Sequence, residues 1–155
     1  MKGKTKVIQV LNDLLAGELT AIDQYFVHSR MYEDMGLSKL FERLDHEREE
    51  ETDHADQMIR RILFLEGKPD LSKREPLNVG DSVPQMLKND LALEYAVINN
   101  LKAAIVICEK EQDFETREML LKQLEDSEED HAYWLEKQLG LIDKIGLPNY
   151  LQSQM

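Results

Sequence analysis

Four long stretches of the chain repeat apolar residues at helical spacing, and each of the four stripes is broken by a carboxylate. The first stripe reads Val7, Leu11, Leu14, Glu18, Ile22, Tyr25, and the second Leu40, Leu44, Glu47, Glu51, His54, Met58, Ile62, Leu65. The third reads Leu87, Leu91, Glu94, Ile98, Leu101, Ile105, Cys108, and the fourth Leu121, Leu124, Glu128, His131, Leu135, Gln138. A stripe of this kind buries itself against other helices, so each helix points a carboxylate into a low-dielectric interior. Ionised carboxylates there cost several kcal/mol each and repel one another, so something positive must offset them. Neither Lys nor Arg interrupts the stripes at that level.

No stretch alternates with period two, which makes the fold class all-α. Capping and stop signals set the boundaries. The first helix is expected from Thr5, its N-cap, to Asp34, ahead of Gly36; the second from Ser38 to Glu66, ahead of Gly67 and Pro69. The third starts near Ser82, with Pro84 in its first turn, and reaches Glu111; the fourth runs from Phe114 to Leu139 and stops at Gly140. At 1.5 Å per residue each helix is ~40 Å long, so the segment from Gly67 to Asp81 crosses the bundle's length and leaves helices two and three parallel. After Gly146, Pro148 opens a short fifth helix over about residues 147–153, with Leu147, Tyr150 and Leu151 as apolar surface in need of a neighbour. The expectation is one domain over residues 1–155, with the bundle spanning about 5–139.

A hairpin places residues equally distant from its turn side by side. With the first turn near 35 to 36, Glu18 lies about 17 residues before it and Glu51 and His54 about 15 and 18 after, a mismatch of only ~3–5 Å. With the second near 112 to 113, Glu94 lies about 18 before, and Glu128 and His131 about 15 and 18 after. Glu…Glu-x-x-His thus repeats at offsets of 76, 77 and 77, as a pseudo-twofold site at mid-bundle. Four carboxylates and two neutral imidazoles carry a charge of −4, which balances two divalent cations, and oxygen with nitrogen donors suits iron or manganese. With 18 glutamates in the chain the Glu-x-x-His motif alone is weak; register and burial give it its weight.

Composition narrows the partners. The net charge of −12, from 31 acidic and 19 basic residues, argues against nucleic acid or an anionic membrane and for cations. No apolar run approaches the ~20 residues of a membrane span, and the N-terminus turns polar by Asn12 and Asp13, unlike a signal peptide, so the expected location is cytoplasmic. Cys108 is the single cysteine, which excludes a disulfide framework and reads as a small buried residue.

The six residues, with the segments GELTAIDQYF, RMYEDMGLSKL, HADQMIRRILFLEG, SEEDHAYWLEKQLGLI and GLPNYLQSQM, make the whole chain resemble a bacterioferritin-type ferritin subunit. One Glu from each of two helices with Glu-x-x-His from each of the others is the known ligand set of ferritin-like di-iron proteins, so the pattern is matched here and not newly deduced. The resemblance implies a four-helix bundle, a hollow cage of twenty-four copies, oxidation of Fe²⁺ by O₂ or H₂O₂ inside each bundle, and a ferric mineral in the cavity. It implies two Fe ions per subunit, with Glu18, Glu51 and His54 on one, Glu94, Glu128 and His131 on the other, and Glu51 and Glu128 bridging. Tyr25 would hydrogen-bond a ligand carboxylate; an ordinary core tyrosine is an equal reading. Such subunits hold haem through a methionine directly after the first Glu-x-x-His glutamate, where this chain has Thr52, with Arg48 one turn earlier. A hydroxyl is a poor haem-iron ligand, so haem is not expected in the homo-oligomer. Met31, Met35 and Met58 read as core-filling residues. A haem-binding partner subunit in a mixed cage and a ferredoxin-type reductant are the further partners implied.

Lesser candidates follow from the same resemblance. His46 and Glu50, one turn apart, would form a cavity-facing iron site; Asn149 and Gln152 would line a fourfold pore; Trp134 is an electron donor or a packing residue. His28 lies off the stripes and is expected to matter little. Alternatives for the whole chain are a di-iron oxidase or peroxidase acting on another substrate, and a mainly structural subunit of a heteromeric cage.

Overall fold

A computed structural model describes all residues, 1–155. Helices α1 (Thr5–Asp34) and α2 (Ser38–Phe64) form the first hairpin, turning at Gly36, whose φ of 79° is the left-handed conformation that only glycine adopts without strain. Helix α3 (Val83–Lys110) is capped by Ser82, which accepts the Gln85 N–H, with Pro84 in its first turn. The fourth bundle helix comes in three pieces: α4 (Phe114–Glu125), a π-helical segment (Asp126–Ala132) and α5 (Tyr133–Ile145). Helix α6 (Leu147–Ser153) closes the chain. No strand is present, and the architecture is an all-α four-helix bundle with a long crossover and a short C-terminal helix.

Several expectations change: Thr5 is the first residue of α1, whose N-cap is Lys4 and makes no side-chain cap bond, and α2 ends at Phe64, short of Glu66. The fourth helix does not stop at Gly140 but continues to Ile145 and ends at Gly146 (φ 82°), so the bundle reaches past residue 139. Gly140 costs helix propensity but has the flanking turns to hold it. The tail finds its neighbour within the chain: Tyr150 is fully buried, its hydroxyl donates to Gln138 at 2.8 Å, and Leu147 and Leu151 are half-buried. It therefore leaves less apolar surface than the sequence suggests. Helix α3 also corrects a reading: by length and composition it is apolar enough to cross a membrane. In the bundle its Met86, Leu87, Leu101, Ala104 and Cys108 are instead packed in the core.

The crossover is held by side chains of α1. The backbone N–H groups of Asp70, Glu75, Asn78 and Gly80 donate in turn to Asn12, Thr20, Gln24 and His28. These acceptors recur along one face of α1, so the segment runs alongside it and α3 starts where α2 started. Because Gly80 donates to Nε2 of His28, the imidazole carries its proton on Nδ1 and donates it to Asp90 at 2.8 Å, both groups fully buried. Gln24 also donates to Asp90. His28 thus has a structural role that its place off the stripes concealed, and removing it would strand a buried carboxylate, a loss of about 3 kcal/mol.

The core is split. One apolar cluster, around Leu11, Leu15, Met58, Ile62, Leu101 and Cys108, fills one end, and another, around Tyr32, Leu40, Leu44, Met86, Leu87 and Leu135, fills the other. Between them lies a belt of buried polar groups.

Candidate metal centre

Five of the six expected residues meet in that belt. Glu18, Glu51, His54, Glu94 and His131 are each at most 3% exposed. Two groups of potential ligand atoms result, Glu18 with Glu51 and His54, and Glu51 with Glu94 and His131. Glu51 belongs to both: its Oε2 lies 3.4 Å from His54 Nδ1 and its Oε1 2.9 Å from His131 Nδ1. Glu18 Oε2 is 3.9 Å from His54 Nδ1, and Glu94 Oε1 is 3.3 Å from His131 Nδ1. The imidazoles stack with centroids 6.3 Å apart. The Tyr25 hydroxyl donates to Glu94.

Glu128 is not brought into this cluster. Its carboxylate is 42% exposed and faces Lys102 Nζ at 3.9 Å on the outside of the bundle. The cause is the π-helical segment. Before it, the inward face of the fourth helix is Thr116, Leu120, Gln123 and Ser127, one residue out of step with the expected Leu121, Leu124 and Glu128; from His131 onward it matches, with Leu135 and Gln138. A π turn absorbs one extra residue, and the side chains before it rotate away from where α-helical spacing puts them. Ser127 takes the inward place.

Residues outside the expected set complete the surroundings. His54 Nε2 lies 3.0 Å from Asp126 Oδ2, and His131 Nε2 lies 2.5 Å from Glu47 Oε2 and 2.6 Å from Glu50 Oε2. Both imidazoles therefore turn Nδ1 inward and Nε2 toward a carboxylate, the arrangement by which proteins orient histidine ligands. Arg43 binds Glu47 at 2.5 Å and Asp130 at 2.8 Å and lies over the half-buried Trp134 ring, so a cation does reach this level, from the flank. Glu47 was visible on its stripe; Asp126 and Asp130 were hidden by the π turn. His46 and Glu50 pair at 2.6 Å, and Glu50 continues to His131, linking an exposed imidazole to a buried one.

Burial and mutual charge shift the titration of the cluster's own groups. Burial, then the Glu51 charge, raises Glu18 well above the carboxylate range and pushes Glu94 up to about 7. Burial opposes Glu51's charge too, but Glu18, His131 and His54 outweigh it and hold that carboxyl below the usual range. Burial likewise opposes protonation of His54 and His131, and the surrounding carboxylates overcome it and raise both. Even so, Glu18 Oε2, both Glu51 oxygens, Glu94 Oε2 and His54 Nδ1 are buried with no aligned hydrogen-bond partner. Each such orphan costs on the order of 1–3 kcal/mol, and convergent orphaned oxygens with imidazole nitrogen are a donor set that fits divalent iron.

Elsewhere, the Thr52 hydroxyl donates to the Arg48 carbonyl at 2.8 Å, while Arg48 itself pairs with Asp45 and lies over Phe26. Met58 is buried in the core, Met31 half-buried and Met35 exposed. Asn149 and Gln152 are exposed on α6.

The bundle and its belt of inward carboxylates and imidazoles define a protein of the ferritin-like class, and comparison makes this specific. A model of the ferritin-like domain matches residues 8–145. The chain is 64% identical over 155 residues to a "Bacterial ferritin" of Synechocystis sp., covering all of this chain and 99% of that one, and 58% identical to a "Bacterial ferritin" of Pseudomonas aeruginosa over the full length of both. A "Bacterioferritin" of Mycolicibacterium paratuberculosis is 40% identical over 97% of this chain and 94% of its own. The chain belongs to the ferritin family.

Proposed function

We propose that this chain is an iron-storage subunit that oxidises Fe²⁺ in pairs inside its bundle and passes Fe³⁺ to a mineral held by a cage of many copies. The observation that carries the reading is Glu51, one fully buried carboxylate whose two oxygens face two histidines in two adjoining ligand groups. Glu18, Glu51 and His54 hold one ion, and Glu94, Glu51 and His131 the other. Tyr25 fixes Glu94, while Asp126, Glu47 and Glu50 orient the imidazoles. Two Fe²⁺ lose two electrons; O₂ takes these with two protons to give H₂O₂, or H₂O₂ takes them with two protons to give two waters. Protons stored on Glu18, Glu94 and the histidines leave as the ions bind. The His46–Glu50 pair offers a route between the centre and the subunit surface.

Assembly is supported by exposed apolar side chains on several faces, among them Phe26, Leu63, Val106, Phe114 and Tyr133, each 48–58% exposed. In a cage of twenty-four, Asn149 and Gln152 would sit at the fourfold pore, and the cytoplasm is the compartment where such a store serves. Haem ligation is assigned to a partner subunit, because the Thr52 hydroxyl is a poor ligand already engaged with Arg48. Two measurements test the proposal. Stopped-flow mixing of Fe²⁺ and protein with O₂ or H₂O₂ should show a rapid phase of two Fe²⁺ per subunit; its persistence in Glu51→Ala would remove the centre. A monomer or dimer at micromolar concentration would remove the cage.

A further inference from the structure

His131 stands between two sets of acidic side chains. Its Nδ1 faces Glu51 and Glu94, while its Nε2 faces Glu47 at 2.5 Å and Glu50 at 2.6 Å. On this outer side the potential ligand atoms of Glu47, Glu50, Asp130 and His131 all lie within 4.8 Å of one another, which by donor type and spacing makes a third candidate site for a divalent cation. Glu47 is 3% exposed, and its Oε2, aimed at His131, has no aligned hydrogen-bond partner. A guanidinium already sits among these side chains. Arg43 reaches Glu47 at 2.5 Å through Nε and Asp130 at 2.8 Å through Nη2, and its Cζ lies over the Trp134 ring, 4.8 Å from the centroid. The inner carboxylates Glu18, Glu51 and Glu94, by contrast, have ion-pair partners only in the two histidines.

We infer that Arg43 excludes a divalent cation from the outer side of His131 and thereby reserves the ring's Nδ1 for the inner centre. In taking Nδ1 as the ligand nitrogen, the inference rests on the di-iron reading. A neutral imidazole has one lone pair, so a ring that binds an ion through Nδ1 carries its proton on Nε2 and needs an acceptor there. Glu47 and Glu50 are that acceptor. A cation held by the same carboxylates would claim the lone pair on Nε2 and move the proton to Nδ1, leaving a donor where Glu51 and Glu94 need a ligand. Arg43 opposes this in two ways: it engages Glu47 and Asp130 in charge-assisted hydrogen bonds, and it repels a second positive charge beside it. Having no lone pair of its own, the guanidinium does not compete for the imidazole proton. Its planar fork can serve two carboxylates while stacked on Trp134, which a lysine ammonium cannot match.

Anaerobic titration of the full chain with Co²⁺, followed by its visible absorption and by equilibrium dialysis, tests this. The parent should bind two Co²⁺ per subunit tightly, one for each inner group. Arg43→Gln should gain a third, bound at least about tenfold more tightly than any third ion of the parent. Combining it with Asp130→Asn should remove that gain, which ties the extra ion to this cluster. Arg43→Lys, which keeps the charge without the fork, should gain the third ion more weakly than Arg43→Gln, and it decides the matter should Arg43→Gln not fold. If the parent already binds three Co²⁺ with similar affinity, or if the Arg43 variants bind two as the parent does, the exclusion is refuted while the di-iron reading stands. A parent that binds no Co²⁺ would instead remove the di-iron reading. In that case one ion gained by Arg43→Gln and lost again with Asp130→Asn would still support exclusion by Arg43, and no gain would overturn it.

Discussion

The two halves of the centre are built from the same residue types but on different backbones. Glu18, Glu51 and His54 stand on unbroken α-helices, and all three fall where a 3.6-residue repeat puts them. In the other half Glu94 and His131 do, but His131 stands on a π turn that leaves Glu128 outward and brings Asp126 to the first half's histidine. The surroundings differ too. His54 is backed by one half-exposed aspartate, whereas His131 is held by buried Glu47 and by Glu50, with Arg43 fixing Glu47 from behind. The first half is therefore built on regular helix and open to solvent behind its histidine, and the second is closed behind its histidine with its fourth-helix carboxylate turned outward.

The largest effect should come from abolishing the comparison. Glu51→Ala removes the one residue common to both halves, and anaerobic Co²⁺ or Fe²⁺ titration should show both ions weakened by about 100-fold or more, since even indirect supports of a metal ligand cost 10–100-fold. Weakening of only one ion would mean that Glu51 serves a single half. Next comes the contrast of His131→Ala with His54→Ala. Each should weaken one ion by about 100-fold and the other much less, with opposite assignment in the two variants, as read from the two steps of the same titration.

A smaller effect separates the supports. Glu47→Gln should weaken the second ion by about tenfold, and Asp126→Asn the first by less, because Asp126 is 56% exposed and water can replace it. Equal effects would erase the asymmetry between the halves. The smallest is the pH dependence of the metal-free fold, followed by melting temperature. Glu94, raised to about 7 from 4.5, contributes stability that is present below pH 4.5 and lost as pH rises through 7; Glu18 and both histidines, also raised, act in the same direction. Glu51, depressed, contributes stability present above pH 4.5 and lost as pH falls. The metal-free protein should be most stable near pH 4.5, losing stability as pH falls below that and as it rises toward 7, and bound cations should move that optimum upward. An unchanged optimum with and without Co²⁺ would place the titrating groups elsewhere.

Much of this was readable from residue order. Carboxylates at Glu18, Glu51 and Glu94 stand out because an apolar stripe has no ordinary use for them, and Ser82, Pro84 and Pro148 mark helix starts by chemistry that acts over a few residues. Gly140 misled because a lone glycine weakens a helix without ending it when packing continues on both sides. His28 was missed because its partners, Asp90 and the Gly80 N–H, lie more than 50 residues away.

By itself, then, the sequence determined what recurs locally: four helices, a crossover long enough to span them, and a level at which it points six polar side chains inward, five of which the structure brings together. Tertiary structure alone decided the rest. Which face of the fourth helix turns inward depends on where one extra residue is absorbed, and a π turn leaves no mark in an apolar period until the neighbouring helices fix which side chains are buried. Whether His131 is oriented by Glu47, or His54 by Asp126, depends on distances between helices, and a linear repeat carries no information about those.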